Sequence, residues 1–326
     1  MVGDMRAAYA SALNPDNPLA GLVVGERPDP SPGEGWTTVQ VKAAALNHHD
    51  LWTLRGVGIT EKALPMILGC DAAGIDTATG QEVVVHSVIS DPGFAGDETL
   101  DPSRTLLSEK HQGTLAELVA APSRNVVPKP AELSFAEAAC LPTAWLTAYR
   151  MLFVKSGLRP GQTVLIQGAS GGVASAAIGL ARAAGMRVWA TSRTEAKRDA
   201  AVRLGAHQAF ETGARLPERV DAVIETVGEA TWSHSLKSLR PGGRVVVSGA
   251  TSGSMPPADL NRIFFLQLQV LGSTMGTRDE LADLMSLLLT TGLRPNIDRT
   301  LPLDEAATAL AAMAAGEHVG KIVLEP

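Results

Sequence analysis

Only two cysteines occur in the chain, Cys70 and Cys140, far apart and outside any C-x-x-C pair. That excludes a disulfide framework and a cysteine-rich structural metal lobe. Aromatic residues make up 4%, so Ala, Val and Leu must fill the core. No long basic run is present and the formal net charge is −6, which argues against nucleic acid or an anionic membrane as partner. Residues 1–14 lack the basic region, apolar run and small-residue site of a secretory leader. The stretch Gly161–Ala181 is uncharged over 21 residues, but its five glycines break it into strand, turn and helix. A cytoplasmic, soluble protein is expected.

What is present is ample core material: 45% hydrophobic residues in 326, enough for about two domains. The first third reads as β-rich, with strands at Thr37–Ala45 and Glu82–Ile89 between Gly/Pro/Asp clusters. Asn47 opens a short helix with Asp50 in its first turn, and Gly56 and Gly58 end it. From Ser134 onward strands and helices alternate. The pairs are Thr163–Gln167 with Gly172–Ala184 and Arg187–Thr191 with Thr194–Leu204. His207–Phe210, Asp221–Thr226 with Thr231–Leu239, and Arg244–Ser248 follow. Apolar strands alternating with helices imply a parallel sheet covered on both faces. Beyond Gln269–Leu271 lie the amphipathic helices Asp279–Thr291 and Leu303–Ala315 and a closing strand, Gly320–Leu324. Ser90–Gln112 is the least regular segment and is expected to be a surface excursion.

The strand Thr163–Gln167 runs into Gly168-Ala169-Ser170-Gly171-Gly172-Val173-Ala174 and then into an Ala-rich helix. Glycines let backbone approach a pyrophosphate, and the helix N-terminus offers free N–H groups to its oxygens. Ala169, Ser170, Gly171, Gly172 and Val173 are therefore candidate nucleotide contacts, as is Gly249 after Arg244–Ser248. A plain βα turn without ligand is the bland alternative. The second strand carries no acid at its end to take a ribose 2′-OH. It ends in Ser192 and Arg193, with Lys197 one helical turn on, a set suited to a 2′-phosphate. NADPH is the expected cofactor, unless Arg193 and Lys197 merely start a solvated helix.

Several segments in this order resemble the medium-chain dehydrogenase/reductase superfamily, in its zinc-free quinone oxidoreductase and enoyl reductase-like branch. They are Ala45-Leu46-Asn47 to Arg55-Gly56, Leu68-Gly69-Cys70-Asp71-Ala72-Ala73-Gly74, Gly113-Thr114-Leu115-Ala116-Glu117 and Leu146-Thr147-Ala148-Tyr149. The glycine turn, Pro241-Gly242-Gly243 and Gly320-Lys321-Ile322-Val323-Leu324 complete the set. The resemblance implies an α/β architecture: a GroES-like β-rich substrate domain over 1–123, a doubly wound parallel-sheet (Rossmann) domain over 124–266, and a return segment over 267–326. It also implies a homodimer, with the strand near Gln267–Leu271 extending the sheet across a two-fold axis.

Zinc relatives hold their catalytic metal at positions matching Asn47, Cys70 and Thr143. Only Cys70 is a strong ligand, so no metal is expected, although His48, His49 and Asp71 leave an unusual site open. Their four-cysteine lobe falls in Ser90–Gln112, which contains no cysteine. Without a Lewis acid, a quinone or an activated C=C bond is a better hydride acceptor than a simple ketone. By resemblance Asn47, His48, Asp50 and Cys70 line the cleft, with Thr147 on the cofactor side. Related enoyl reductases carry a tyrosine after the Arg-Gly, but Arg55-Gly56-Val57-Gly58-Ile59 has none. His48, His49 or solvent remain as proton donor. An alcohol or aldehyde dehydrogenase, and a non-enzymatic NADPH-binding protein, are the competing readings.

Overall fold

The computed structural model describes Gly3–Pro326, and the chain divides into two compact units. Of the described residues, the first comprises 3–143, 275–286 and 297–326; the second comprises 144–274 and 287–296. The seams thus fall after Thr143, Thr274, Ser286 and Asn296, the first two later than the expected 123 and 266.

The first unit is built on a seven-stranded sheet. Its order is Val126–Pro128, Glu82–Val85, Asp71–Asp76, Trp36–Ala45, Lys321–Glu325 and Ile297–Pro302, with Leu118–Pro122 also pairing with Trp36–Ala45. Trp36–Ala45 buries Thr37, Val39, Val41 and Ala43 on one side of its pleat, the period-two pattern of a strand with one packed face. Lys321–Glu325 lies antiparallel to it, Val323 opposite Ala45 and Leu324 opposite Ala44. The last strand therefore seals the core made by the first third of the chain. Leu46, Leu51, Leu54, Leu68 and Leu115 pack there with Leu310, Met313, Ile322 and Leu324. Each fully buried Leu or Ile contributes on the order of 1.5–3 kcal/mol.

Two differences from expectation have physical causes. The strand expected over Glu82–Ile89 is interrupted at His86 and Ser87, giving Glu82–Val85 and Val88–Ile89. Asn125 causes the break: its backbone C=O accepts the His86 N–H at 2.8 Å, and its Nδ2 donates to the His86 and Val88 carbonyls. The strands Asp4–Ala10 and Leu22–Pro28 had not been anticipated; they pair antiparallel with each other, and the first also pairs with Met66–Ile67. Ser90–Gln112 contains only the single turn Glu98–Leu100 and the short strand Thr105–Leu106.

The second unit carries a six-stranded parallel sheet, ordered Gln208–Glu211, Arg187–Ser192, Thr163–Ile166, Val220–Glu225, Leu239–Val247 and Gln269–Gly272. Thr163–Ile166 is buried throughout, as a strand covered on both faces must be. The helix Gly172–Ala183 buries Ala174, Ala176, Ala177 and Ala181, and such small side chains let its axis approach the sheet closely. Among the described residues no helix is long and apolar enough to cross a membrane.

Gly74 sits where Asp71–Asp76 meets Trp36–Ala45, and a Cβ there would lie 2.0 Å from the Gln40 carbonyl oxygen. Gly33, by contrast, has nothing within 4 Å of its Cβ position. Gly74→Ala is expected to destabilise the protein by about 1–3 kcal/mol, as overpacking does. Gly33→Ala should leave the unfolding midpoint unchanged. Thermal unfolding of both variants checks the pair.

Candidate functional site

The first unit gathers most of its candidate residues around the helix His48–Leu54 and the turn Gly69-Cys70-Asp71. Asn47 holds the N-cap position, and Asp50 Oδ2 accepts its N–H at 2.8 Å. Asp50 Oδ1 accepts the Gly69 N–H at 3.0 Å, so this one carboxyl pins the helix start to the turn. Burial pushes its pKa up to about 6, against the favourable N–H of Asn47 and the charges of His49 and Lys321. Both oxygens of Asp50 are thus engaged by backbone, which gives it a positioning part.

Behind the helix start lies a buried polar knot. Asn47 Nδ2 donates to Asp71 Oδ2 at 2.8 Å. Lys321 Nζ donates to Asn47 Oδ1 at 2.6 Å, to the Leu46 carbonyl at 2.6 Å and to Asp71 Oδ2 at 3.3 Å. All three ammonium protons therefore have acceptors. Asp71 is fully buried, and its other oxygen, Oδ1, has no hydrogen-bond partner.

The two histidines differ sharply. His49 directs Nδ1 to Cys70 Sγ at 3.2 Å and Nε2 to Glu109 Oε1 at 3.3 Å. Burial disfavours a charge on this ring, but the contacts with Cys70 and Glu109 outweigh it and hold the imidazole well above its ordinary pKa. Cys70 is buried and donates to the Leu107 carbonyl at 3.3 Å, and burial pushes its thiol up. His48 is exposed, and its ring makes no hydrogen bond among the described residues. Desolvation, then the charges of Lys321 and Arg55, hold its pKa below 6.5.

These residues do not fit a zinc ion. The His49 ring lies between the thiol and the carboxylate, turning one nitrogen to each, so the three cannot converge on one metal. Asn47 is taken by Asp71 and Lys321, and an ammonium within hydrogen-bond distance of it would repel a dication. Thr143 Oγ1 is buried without a partner, within the π-helical stretch Leu141–Trp145. Among the described residues no three His, Cys, Asp or Glu side chains are arranged to hold a metal.

In the second unit, Thr163–Ile166 has Arg187–Ser192 on one side and Val220–Glu225 on the other, so the chain reverses its winding there. Nucleotides bind outside the carboxyl ends of parallel strands at such a switch point. Ala169, Ser170, Gly171, Gly172 and Val173 follow the first of these strands, and Gly171 is the N-cap of Gly172–Ala183. The first helical N–H groups have no intrahelical acceptor, and no acid lies in the first turn. Gly168 has φ +71° and Gly249 lies against Thr226, where a Cβ would meet the carbonyl oxygen at 2.9 Å. The cradle thus has the small side chains a pyrophosphate needs.

Ser192 ends its strand buried, Arg193 is exposed, and Lys197 is in the following helix, its pKa lowered by partial burial and by Arg193. Arg198, which sequence reasoning missed, donates to the carbonyls of Ser192 and Arg193 at 3.2 and 3.4 Å and fixes that loop. Thr147 is buried in the short turn Leu146–Tyr149, flanked by π-helical stretches, a feature frequent at functional sites. Glu109 and the bonding role of Lys321 were also unforeseen, since neither has a local sequence signature.

Removing Lys321 would leave the Asp71 carboxylate buried without its cation, a loss on the order of 3–5 kcal/mol. Lys321→Met should therefore unfold at distinctly lower denaturant than the parent. Adding Asp71→Asn should restore part of that loss, and a double-mutant cycle measures the coupling.

Residues 172–290 match the zinc-binding dehydrogenase family, and residues 33–131 match the alcohol dehydrogenase GroES-like domain. The chain is 30% identical over 322 residues to acryloyl-coenzyme A reductase of Metallosphaera sedula, covering 93% of this chain and 96% of that protein. It is 28% identical to the quinone oxidoreductase of Mus musculus, covering 90% of each. A 32% identical match to the spectinabilin polyketide synthase system protein NorB of Streptomyces orinoci spans 89% of this chain but only 13% of that much longer protein. Among solved structures, an NAD-dependent alcohol dehydrogenase superposes with TM-score 0.91 at 34% identity, over 99% of this chain and 100% of that one. Fold, both matched domains and these relatives agree: the chain belongs to the medium-chain dehydrogenase/reductase superfamily of nicotinamide-dependent oxidoreductases.

Proposed function

We propose that this chain is an NADPH-dependent reductase that delivers hydride to an activated C=C bond or a quinone, without zinc. The observation that carries the reading is the Lys321 ammonium hydrogen-bonded to Asn47 and Asp71. It puts a built-in cation beside Asn47, the position matching a metal ligand in zinc relatives. When bound, the nicotinamide supplies the hydride. The chain's own residues must then hold the acceptor and deliver one proton.

His49 has both ring nitrogens engaged, and Asp50 both oxygens. His48 alone of the candidate acids is exposed with its nitrogens uncommitted, so it is the proposed proton donor. The acryloyl-coenzyme A reductase and the quinone oxidoreductase among the relatives support an electron-poor C=C or quinone acceptor. The likeness to an NAD-dependent alcohol dehydrogenase favours a second reading, oxidation of an alcohol. We further propose a homodimer through the edge strand Gln269–Gly272, beside which Leu260, Phe264 and Phe265 are exposed.

NADPH should bind more tightly than NADH. Arg193→Ala should weaken NADPH by roughly 1.5–3 kcal/mol, the range of a charge-assisted contact, with little change for NADH. Equal affinity of the parent protein for both nucleotides would remove the argument.

Turnover of NADPH with enones, enoyl thioesters and quinones should persist in a strong chelator, and simple ketones should react poorly. Loss of activity together with stoichiometric zinc would favour the alcohol dehydrogenase; no turnover by folded, nucleotide-loaded protein would favour a non-enzymatic role. His48→Ala should lower turnover by about 10²–10⁴. Because the protonated ring donates and its pKa is lowered, kcat/KM should fall as pH rises through a value below 6.5, and that limb should vanish in His48→Ala. A flat profile in both proteins would assign the proton to solvent.

A further inference from the structure

A cavity of about 460 Å³ opens in the first unit, and no residue of the Asn47–Asp71–Lys321 knot or the Cys70–His49–Glu109 chain lines it. Its volume is in the range of small-molecule pockets. One wall is Trp36, whose indole lies 4.8 Å from the His111 ring at a 50° tilt. Met5, Ile67 and Leu118 continue the apolar surface. The rim is the segment Pro28-Asp29-Pro30-Ser31-Pro32, where three prolines fix the backbone before any ligand arrives.

Two cations, Arg27 and Lys110, line this slot. Arg27 rests over the Tyr9 ring at 5.2 Å, and its Nε is buried with no hydrogen-bond partner. Lys110 is exposed, and neither cation has an ion-pair partner among the described residues. Asp29 is the one carboxylate on the lining. An anion entering the slot would give these two cations the counter-charge they lack, through charge-assisted hydrogen bonds. A planar hydrophobic body would meanwhile find Trp36 and His111.

We propose that this pocket is a binding site for a small planar aromatic carboxylate, held by Arg27 and Lys110 and stacked against Trp36. The site is independent of the reductase reading, since binding alone reports on it. It nevertheless shares chain segments with the polar cluster. Lys110 follows Glu109 directly, and Gln112 accepts the Ile67 N–H at 2.7 Å, bridging the segment that leads into Gly69-Cys70.

The probe is 2-naphthoate, with 2-naphthamide as its neutral isostere, titrated calorimetrically into the full chain. Naphthoate should bind once per chain, and naphthamide at least about tenfold more weakly. Arg27→Met and Lys110→Met should each weaken naphthoate about tenfold and leave naphthamide unchanged. Trp36→Leu should weaken both. Lys110 is exposed, so its variant folds as the parent does, and thermal unfolding of all three confirms it. Absence of naphthoate binding, or binding unaltered in both cation variants, would overturn the proposal.

Discussion

One buried ion pair organises the first unit: Lys321 against Asp71, with Asn47 bridging them. Taking two charges out of water costs several kcal/mol each, repaid only when their remaining donors and acceptors are satisfied. Lys321 meets that condition through Leu46, Asn47 and Asp71. Asp71 meets it on one oxygen only, leaving Oδ1 without a partner. The knot therefore demands that three distant segments arrive together: the helix start, the Gly69-Cys70-Asp71 turn and the last strand. Leu46 N–H donating to the Ile322 carbonyl at 3.0 Å locks the same join through backbone.

That constraint explains why the chain's end belongs to its beginning. Lys321–Glu325 must pair with Trp36–Ala45 to bring the ammonium to Asn47, and a one-residue slip would turn Lys321 to the other face of the sheet. The apolar neighbours Ile322, Val323 and Leu324 are buried with it, so the core and the polar knot specify one register together. Asp50 then works at one remove, tying helix to turn through two backbone N–H groups.

How much of this was legible in the sequence depended on range. The strand, glycine turn and helix from Thr163 to Ala183 could be read because period, turn chemistry and helix start are all local properties. The same holds for Asn47 at an N-cap and Gly56 after the helix. The break at His86 could not be read, because it is imposed by Asn125, whose Nδ2 reaches the His86 carbonyl across 39 residues. Nor could Lys321 be given a partner, since Asp71 lies 250 residues away in sequence. Candidate residue types were visible; who bonds to whom was not.

The two neighbouring histidines show why that distinction matters for chemistry. By sequence His48 and His49 are equivalent, both ionisable and both on the first turn of the same helix. Successive helical residues point about 100° apart, so one must turn into the protein when the other faces out. His49 turns in, and Cys70 and Glu109 occupy both of its nitrogens. A ring held that way cannot rotate to release a proton without breaking two contacts in a buried setting, where unpaired polar groups are expensive. His48 keeps its nitrogens free, and desolvation, then the positive charges of Lys321 and Arg55, lower its pKa. Burial and the Lys321 ammonium thus both make the His48 imidazolium a stronger acid, and a group whose pKa lies near the working pH is the kind that general acid catalysis uses.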